Sequence, residues 1–288
     1  MIKLIASDMD GTFLNTKHKI SEENLKAVKK AEAMGVEFTI VTGRAFPSID
    51  NYAREAKLNC EFVLMNGAEY RDKDGNVIES ISIDKNNLKE IHKIMSRNGL
   101  LLDIFSNKGR LMLDKKIFDE QILEKAKWFN KNDSIEDAQK FIDEMMKRDN
   151  VQFLESIDEV IENDEIEVYK IITFNLDLEL IVETKKELSK IEGLSVVSTF
   201  SNDIEISHLE AQKGKILSKV IEKKGYSKEE VIVIGDSFND YSMFEEFENS
   251  YAMGNAVDEI KKIARYVTDT NDNNGVAKAI YQALNINE

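Results

Sequence analysis

Short apolar runs punctuate the chain at residues 2–7, 36–41, 62–65 and 231–234. Runs of this length bounded by turn residues read as buried strands of a parallel sheet. Between the first two, Ser21 stands as an N-cap for a helix that reaches about residue 34 and stops at Gly35. A second helix is expected over 47–57, because Pro47 suits a first helical turn. Strand, helix, strand, helix, strand in this order predicts right-handed crossovers onto one sheet.

The pattern then changes. Residues 68–71 and 77–83 flank Asp72-Lys73-Asp74-Gly75, a hairpin signal. Further on, helices are predicted over 88–98, 117–130, 134–148 and 178–191, and strands over 100–105, 110–114, 166–174, 194–200 and 203–207. Two helix–strand–strand units around a variable middle suggest an inserted α+β module. The first pattern resumes at Lys213 with a helix to Lys224. The predicted fold class is therefore α/β. A doubly wound, Rossmann-like parallel-sheet core (1–83 and 209–288) carries an inserted α+β domain (84–208).

Composition narrows the function classes. The 288 residues are 42% hydrophobic and 32% charged, an ordinary globular balance. No apolar run approaches the roughly 20 residues of a membrane helix, and no secretory signal opens the chain. No membrane association and a cytoplasmic setting are expected. A net charge of −15 argues against nucleic-acid binding. Cys60 is the single cysteine, so neither an intrachain disulfide nor a cysteine metal cluster is available. His18, His92 and His208 are scattered without zinc spacing and read as non-catalytic.

The chemistry concentrates where two strands end. The first runs into Asp8-Met9-Asp10-Gly11-Thr12, and the run at 231–234 into Gly235-Asp236-Ser237-Phe238-Asn239-Asp240. Alternation along an extended backbone would point Asp8 and Asp10 to one side. Ligands of open parallel sheets bind beyond the carboxyl ends of the strands. If the two strands are neighbours, Asp8, Asp10, Asp236 and Asp240 meet at one rim. Crowded carboxylates call for a cation or a shared proton, and hard oxygen donors suit Mg²⁺. The blander reading makes these acids helix caps or solvated turns. Lys213 opens a helix, where the dipole disfavours a cation. A lysine placed against that preference fits a functional charge. Trp128, Phe129, Met145 and Met146 lie at helical spacing and read as core of the inserted module.

At this point the chain resembles the haloacid dehalogenase superfamily of phosphotransferases, specifically its Cof-type branch. The resemblance rests on Asp8-x-Asp10-Gly11-Thr12, Thr42-Gly43-Arg44, Lys213-Gly214 and Gly235-Asp236-Ser237-x-Asn239-Asp240, in that order. Asn66-Gly67-Ala68, Met253-Gly254-Asn255-Ala256 and Asn274-Gly275-Val276-Ala277 extend it over nearly the whole length. The family usually has a small-residue turn before the lysine, where this chain has Glu210-Ala211-Gln212.

The resemblance implies an Mg²⁺-dependent phosphatase with a type-IIB cap, acting on a small-molecule phosphate ester. Asp8 would be the nucleophile and Asp10 the general acid and base. Met9, Gly11, Thr12, Thr42, Gly43, Asn66 and Asn239 would line the phosphate site. Arg44 would contact substrate or brace a loop. Lys213 would serve the phosphoryl oxygens and the Asp8 carboxylate. Asp8, Asp236 and the Asp10 backbone carbonyl would ligate the metal. Asp240 would hold Lys213 or a metal-bound water. The inserted module would close over the core, with hinges near residues 83–84 and 209–212, and residues 115–164 would set specificity.

Two other readings stand beside this one. A phosphomutase would pass the phosphoryl group to a sugar hydroxyl on the same core. A receiver-type signalling module would keep its aspartyl-phosphate, but the inserted module and the full set of acid, lysine and metal groups oppose it. Substrate identity and oligomeric state are not legible.

Overall fold

The first strand, β1 (Leu4–Ser7), is buried along its whole length. It is followed by α1 (Glu22–Ala33), β2 (Glu37–Val41), α2 (Asp50–Glu55) and β3 (Glu61–Leu64) in this computed structural model, which describes residues 1–130, 134–198 and 200–286. Ser21 caps α1 by accepting the Asn24 N–H at 3.1 Å. The second helix is shorter than predicted. Pro47 sits in a separate 3₁₀ turn, and Ile49, at φ −117°, breaks the run while staying fully buried. β4 (Glu69–Arg71) and β5 (Val77–Ser80) form the hairpin, whose turn is tied by Asp72 accepting the N–H groups of Asp74 and Asn76.

The chain divides into two units, Met1–Ser80 with Glu210–Glu288, and Ile81–Leu209. The second contains α3 (Lys85–Arg97), β6 (Asp103–Ser106), β7 (Gly109–Leu113), α4 (Lys115–Asn130), α5 (Ile135–Arg148), β8 (Gln152–Leu154), α6 (Asp158–Ile161), β9 (Val168–Phe174), α7 (Leu178–Leu188), β10 (Leu194–Val197) and β11 (Asp203–His208). Its six strands run in the order β10-β11-β9-β6-β7-β8. Among the described residues of this sheet only the β7–β8 pair is parallel. One apolar cluster holds Ile104, Ile171 and Ile206 with Leu88, Ile91 and Ile181 of the helices. Ile83 belongs to this cluster. Met145 is buried in a second cluster, with Met146 packed against it. Trp128, read from the sequence as core, is instead exposed at the surface, its ring tilted against Phe174 and edge-on to Phe200. The Phe129 side chain lies outside the described residues. Neither β8 nor α6 was anticipated, since three or four residues carry too little periodicity to read.

The chain returns to the first unit with α8 (Lys213–Lys224), β12 (Val231–Gly235), α9 (Tyr241–Glu246), β13 (Ser250–Ala252), α10 (Asp258–Ile263), β14 (Tyr266–Val267) and α11 (Gly275–Leu284). The sheet order is β14-β13-β12-β1-β2-β3-β4-β5. The fold is α/β, as the apolar runs predict. From β1 the strands run one way through β2 and β3, and from β12 the other way through β13 and β14. The switch point therefore lies between β1 and β12, where open α/β sheets bind ligands. In the parallel register Ser7 stands beside Ile234, so both acidic loops leave the sheet side by side. Among the described residues no helix is long and apolar enough to cross a membrane.

The second unit buries a charge network. Arg110 donates to both oxygens of Asp103 and, at 3.0 Å, to Asp149, while Lys125 stands 3.5 Å from Asp103. Burial alone would raise the Asp103 pKa, but the charge and hydrogen bonds of Arg110 outweigh it and hold it below the usual value. Such a depressed carboxyl contributes stability above its unfolded value, about 3.9, and loses it as pH falls through the folded one. Arg110→Met strands the carboxylate and is expected to cost about 3 kcal/mol in urea unfolding at neutral pH. The difference from the parent should narrow below about pH 4. A difference indifferent to pH would contradict this account.

Candidate active site

β1 ends at Ser7, and the Asp8 N–H still donates to the Ile234 carbonyl at 2.9 Å. That bond fixes the first acid against the neighbouring strand. The chain then turns. The Leu14 N–H donates back to the Met9 carbonyl at 2.8 Å, and Gly11 adopts φ +76°. A Cβ at Gly11 would collide with the Asp236 carboxylate, so only glycine fits. Met9 is fully buried in the core cluster, and its side chain does not line the site. Thr12 is buried and donates its hydroxyl to Asp236 Oδ1 at 3.0 Å.

Asp8 and Asp10 do not share a partner. Asp8 is buried and accepts from Lys213 Nζ at 2.6 Å. Asp10 is half-exposed and pairs bidentately with Arg44, at 2.7 Å through Nε and 2.5 Å through Nη2. The strand has ended at Ser7, and beyond it the two carboxylates engage different cations. The Arg44 guanidinium also lies 5.5 Å from the Tyr52 ring centre.

Lys213 has no exposed surface. It donates to Asp8 and, also at 2.6 Å, to Asp240 Oδ1. Burial disfavours its charge, yet the Asp240 and Asp8 carboxylates outweigh that and raise its pKa. The other Asp240 oxygen accepts the N–H groups of Asp236 and Ser237 at 2.9 and 3.1 Å. The next residue, Gly214, lets α8 press against α9. A Cβ there would overlap the Ser242 carbonyl, and the Gly214 N–H donates to Ser242 Oγ at 2.9 Å.

A second wall comes from the loops after β2, β3 and β12. Thr42, nearly fully buried, accepts the Arg44 N–H through Oγ1 at 3.2 Å. Asn239 donates to Asn66 Oδ1 at 3.3 Å and accepts the Ser237 hydroxyl at 2.8 Å. Gly43 faces the same Asn66 oxygen. Met65, Asn66 and Gly67 all have positive φ (49°, 59° and 103°). Strain of this kind costs of order 1–3 kcal/mol per non-glycine residue and clusters at functional sites.

Asp8, Asp236 and Asp240 each bring an oxygen within 4.8 Å of the others. Burial and the Asp240 charge push Asp8 well above the usual carboxylate range and Asp236 up to about 7. Lys213 balances one of the three negative charges, leaving two that a divalent cation would balance. The hard oxygen donors fit such an ion. Asp240 has both oxygens engaged, so Asp8 and Asp236 are the carboxylates with room to ligate. The Asp10 carboxylate lies outside this group. Ser242, which holds the start of α8, went unread in the sequence, because no local pattern distinguishes it from a surface serine.

The sequence model of the haloacid dehalogenase-like hydrolases matches residues 5–280. The chain belongs to that family. It is 31% identical over 98% of its length to phosphatase YwpJ of Bacillus subtilis, covering all of that protein. It is 32% identical over 97% of its length to 5-amino-6-(5-phospho-D-ribitylamino)uracil phosphatase YcsE of the same organism, covering 94% of it. Among solved structures, a haloacid dehalogenase-like hydrolase from B. subtilis superposes with a TM-score of 0.82 at 30% identity, covering 97% of this chain and 99% of that one. A subclass IIB sugar phosphatase shares the fold, with a TM-score of 0.77 over 99% of this chain and 100% of that one, at 21% identity. Among haloacid dehalogenase-like hydrolases, the chain is a phosphatase.

Lys213→Met is expected to leave Asp8 and Asp240 buried without a cation. Loss of one partner from a buried pair costs about 3–5 kcal/mol. Urea unfolding without added metal checks this, and a loss under about 1 kcal/mol would contradict the bridging role.

Proposed function

We propose that this protein is a divalent-cation-dependent phosphomonoesterase that passes the phosphoryl group of a small metabolite through Asp8. The observation that supports this most directly is Lys213 joining Asp8 to Asp240 beside Asp236 at the switch point of the sheet. Asp8, held by Lys213, attacks phosphorus. A bond forms from its carboxylate oxygen to phosphorus as the bond to the leaving oxygen breaks. Asp10, protonated from solvent once it leaves Arg44, donates that proton to the oxygen, takes one from the water that attacks the aspartyl-phosphate, and gives it up to solvent on pairing with Arg44 again. The Asp8–phosphorus bond breaks, inorganic phosphate leaves, and both carboxyl groups return to their starting states.

Thr42 and Asn239 donate to the phosphoryl oxygens. The Asn66 N–H donates to the Thr42 carbonyl at 3.0 Å, which ties the loop after β3 to the loop after β2 beside that group. Arg44 anchors Asp10 between turnovers. Mg²⁺, held by Asp8, Asp236 and the Asp10 carbonyl, would supply charge neutralisation at the phosphoryl oxygens, a principal need in phosphoryl transfer. Selection of the leaving group is assigned to the inserted unit. The substrates named for relatives, a phosphoribitylamino-uracil for YcsE and pyridoxal phosphate for YbhA of Escherichia coli, make phosphorylated cofactors and their precursors the first class to try.

With Mg²⁺ and an aryl phosphate, the protein is expected to release inorganic phosphate, and a chelator should abolish release. Asp8→Asn should fall to background, and Asp10→Asn by about 10²–10⁴-fold. Activity retained by Asp8→Asn would refute the nucleophile assignment. Ca²⁺ in place of Mg²⁺ is expected to inhibit, because its larger, looser shell misplaces the reacting groups. A panel of phosphorylated sugars and cofactors, read by phosphate release, identifies the substrate.

A further inference from the structure

Three carboxamides and one carboxylate outside the acid group hold the loop that follows β1. Asn255, on the loop after β13, donates Nδ2 to the Gly11 carbonyl at 2.8 Å and accepts the Asn271 N–H at 2.9 Å. Asn271 donates its own Nδ2 to the Leu14 carbonyl at 2.9 Å. Asn24, on α1, donates to the Phe13 carbonyl at 3.4 Å and accepts the Ala277 N–H at 3.0 Å. Asp272 accepts the Thr16 N–H at 3.0 Å and its hydroxyl at 2.9 Å.

The chemistry suits the task. A turn leaves backbone carbonyls without ladder partners, and they must find donors elsewhere. A carboxamide carries a donor and an acceptor, so Asn24 and Asn255 each join the loop to a second backbone. Asn255 is exposed. A solvent-facing side chain with both ends bonded does not serve core packing, and its donor lands one residue beyond Asp10.

We infer that Asn255 and Asn271 are positioning residues for Asp10, setting the backbone from which its carboxyl group reaches the leaving oxygen. The inference rests on the acid–base role proposed for Asp10. Misplacing a reacting group by about 1 Å can cost on the order of 10²-fold, and the pair Asn255–Asn271 ties the Gly11 and Leu14 carbonyls of this turn to the far end of the chain.

The test compares kcat/KM for two esters. An activated aryl phosphate releases its leaving oxygen without a proton, whereas an alkyl phosphate needs one. Asn255→Ala is expected to lower kcat/KM for the alkyl ester about 10–100-fold and for the aryl ester less than about 3-fold. Equal losses on both esters, or none, would overturn the inference. Asn255→Asp keeps size and acceptor but loses the donor to Gly11, and it should behave as Asn255→Ala does. If it behaves as the parent, the donor is not what matters and the inference falls. Hydrogen exchange over residues 11–20, without metal or substrate, should quicken by about 10-fold in both variants. Unchanged exchange would overturn the clamp itself. If the parent protein cleaves neither ester, the phosphatase reading fails, and the exchange measurement still decides the clamp.

Discussion

A single buried ammonium group organises this site. Lys213 lies at the start of α8, where the helix dipole disfavours it, and has no exposed surface. Only two carboxylates at 2.6 Å make such a charge tolerable. The dependence runs both ways, since Asp8 and Asp240 would each be costly to bury ionised without it. Gly214 brings the helix close enough, and Asp240 turns its remaining oxygen to the backbone of the Asp236 loop. Removing any one of these leaves another group stranded.

The site is therefore a balance of opposed terms rather than a set of independent residues. Burial raises the proton affinity of Asp8 and Asp236, while Lys213 lowers it. The positive φ of Met65 and Asn66 runs against their intrinsic preference, and the loop after β3 keeps them there. Local rules are broken at the switch point of the sheet and kept in the strands leading to it, as expected where function competes with stability.

Much of this was legible because the sheet is simple. β1 and β12 are short apolar runs, each ending in an acidic loop, and parallel pairing puts such loops at one edge. Lys213 could be singled out because a cation at a helix start is unfavourable on its own. Other features could not be read. The interruption at Ile49 depends on burial, which overrides the helix begun by Pro47. β14 is two residues long. The pairing of Asp10 with Arg44 joins residues 34 positions apart, and no local pattern announces it. Ser242 and Asn271 owe their meaning to partners that sequence neighbourhood does not supply.

The pairing Leu4↔Val231 has a consequence for biosynthesis. Of the two neighbours of β1, one emerges only after the whole inserted unit has been translated. At about 5–20 residues per second, that wait is roughly 10–45 s. Throughout it, β1 offers an open hydrogen-bonding edge to any passing strand. The inserted unit, contiguous in sequence, is free to fold on the ribosome meanwhile. A nascent chain stalled before β12 would thus carry a finished accessory unit beside an unclosed sheet, the form most exposed to aggregation and to chaperone capture.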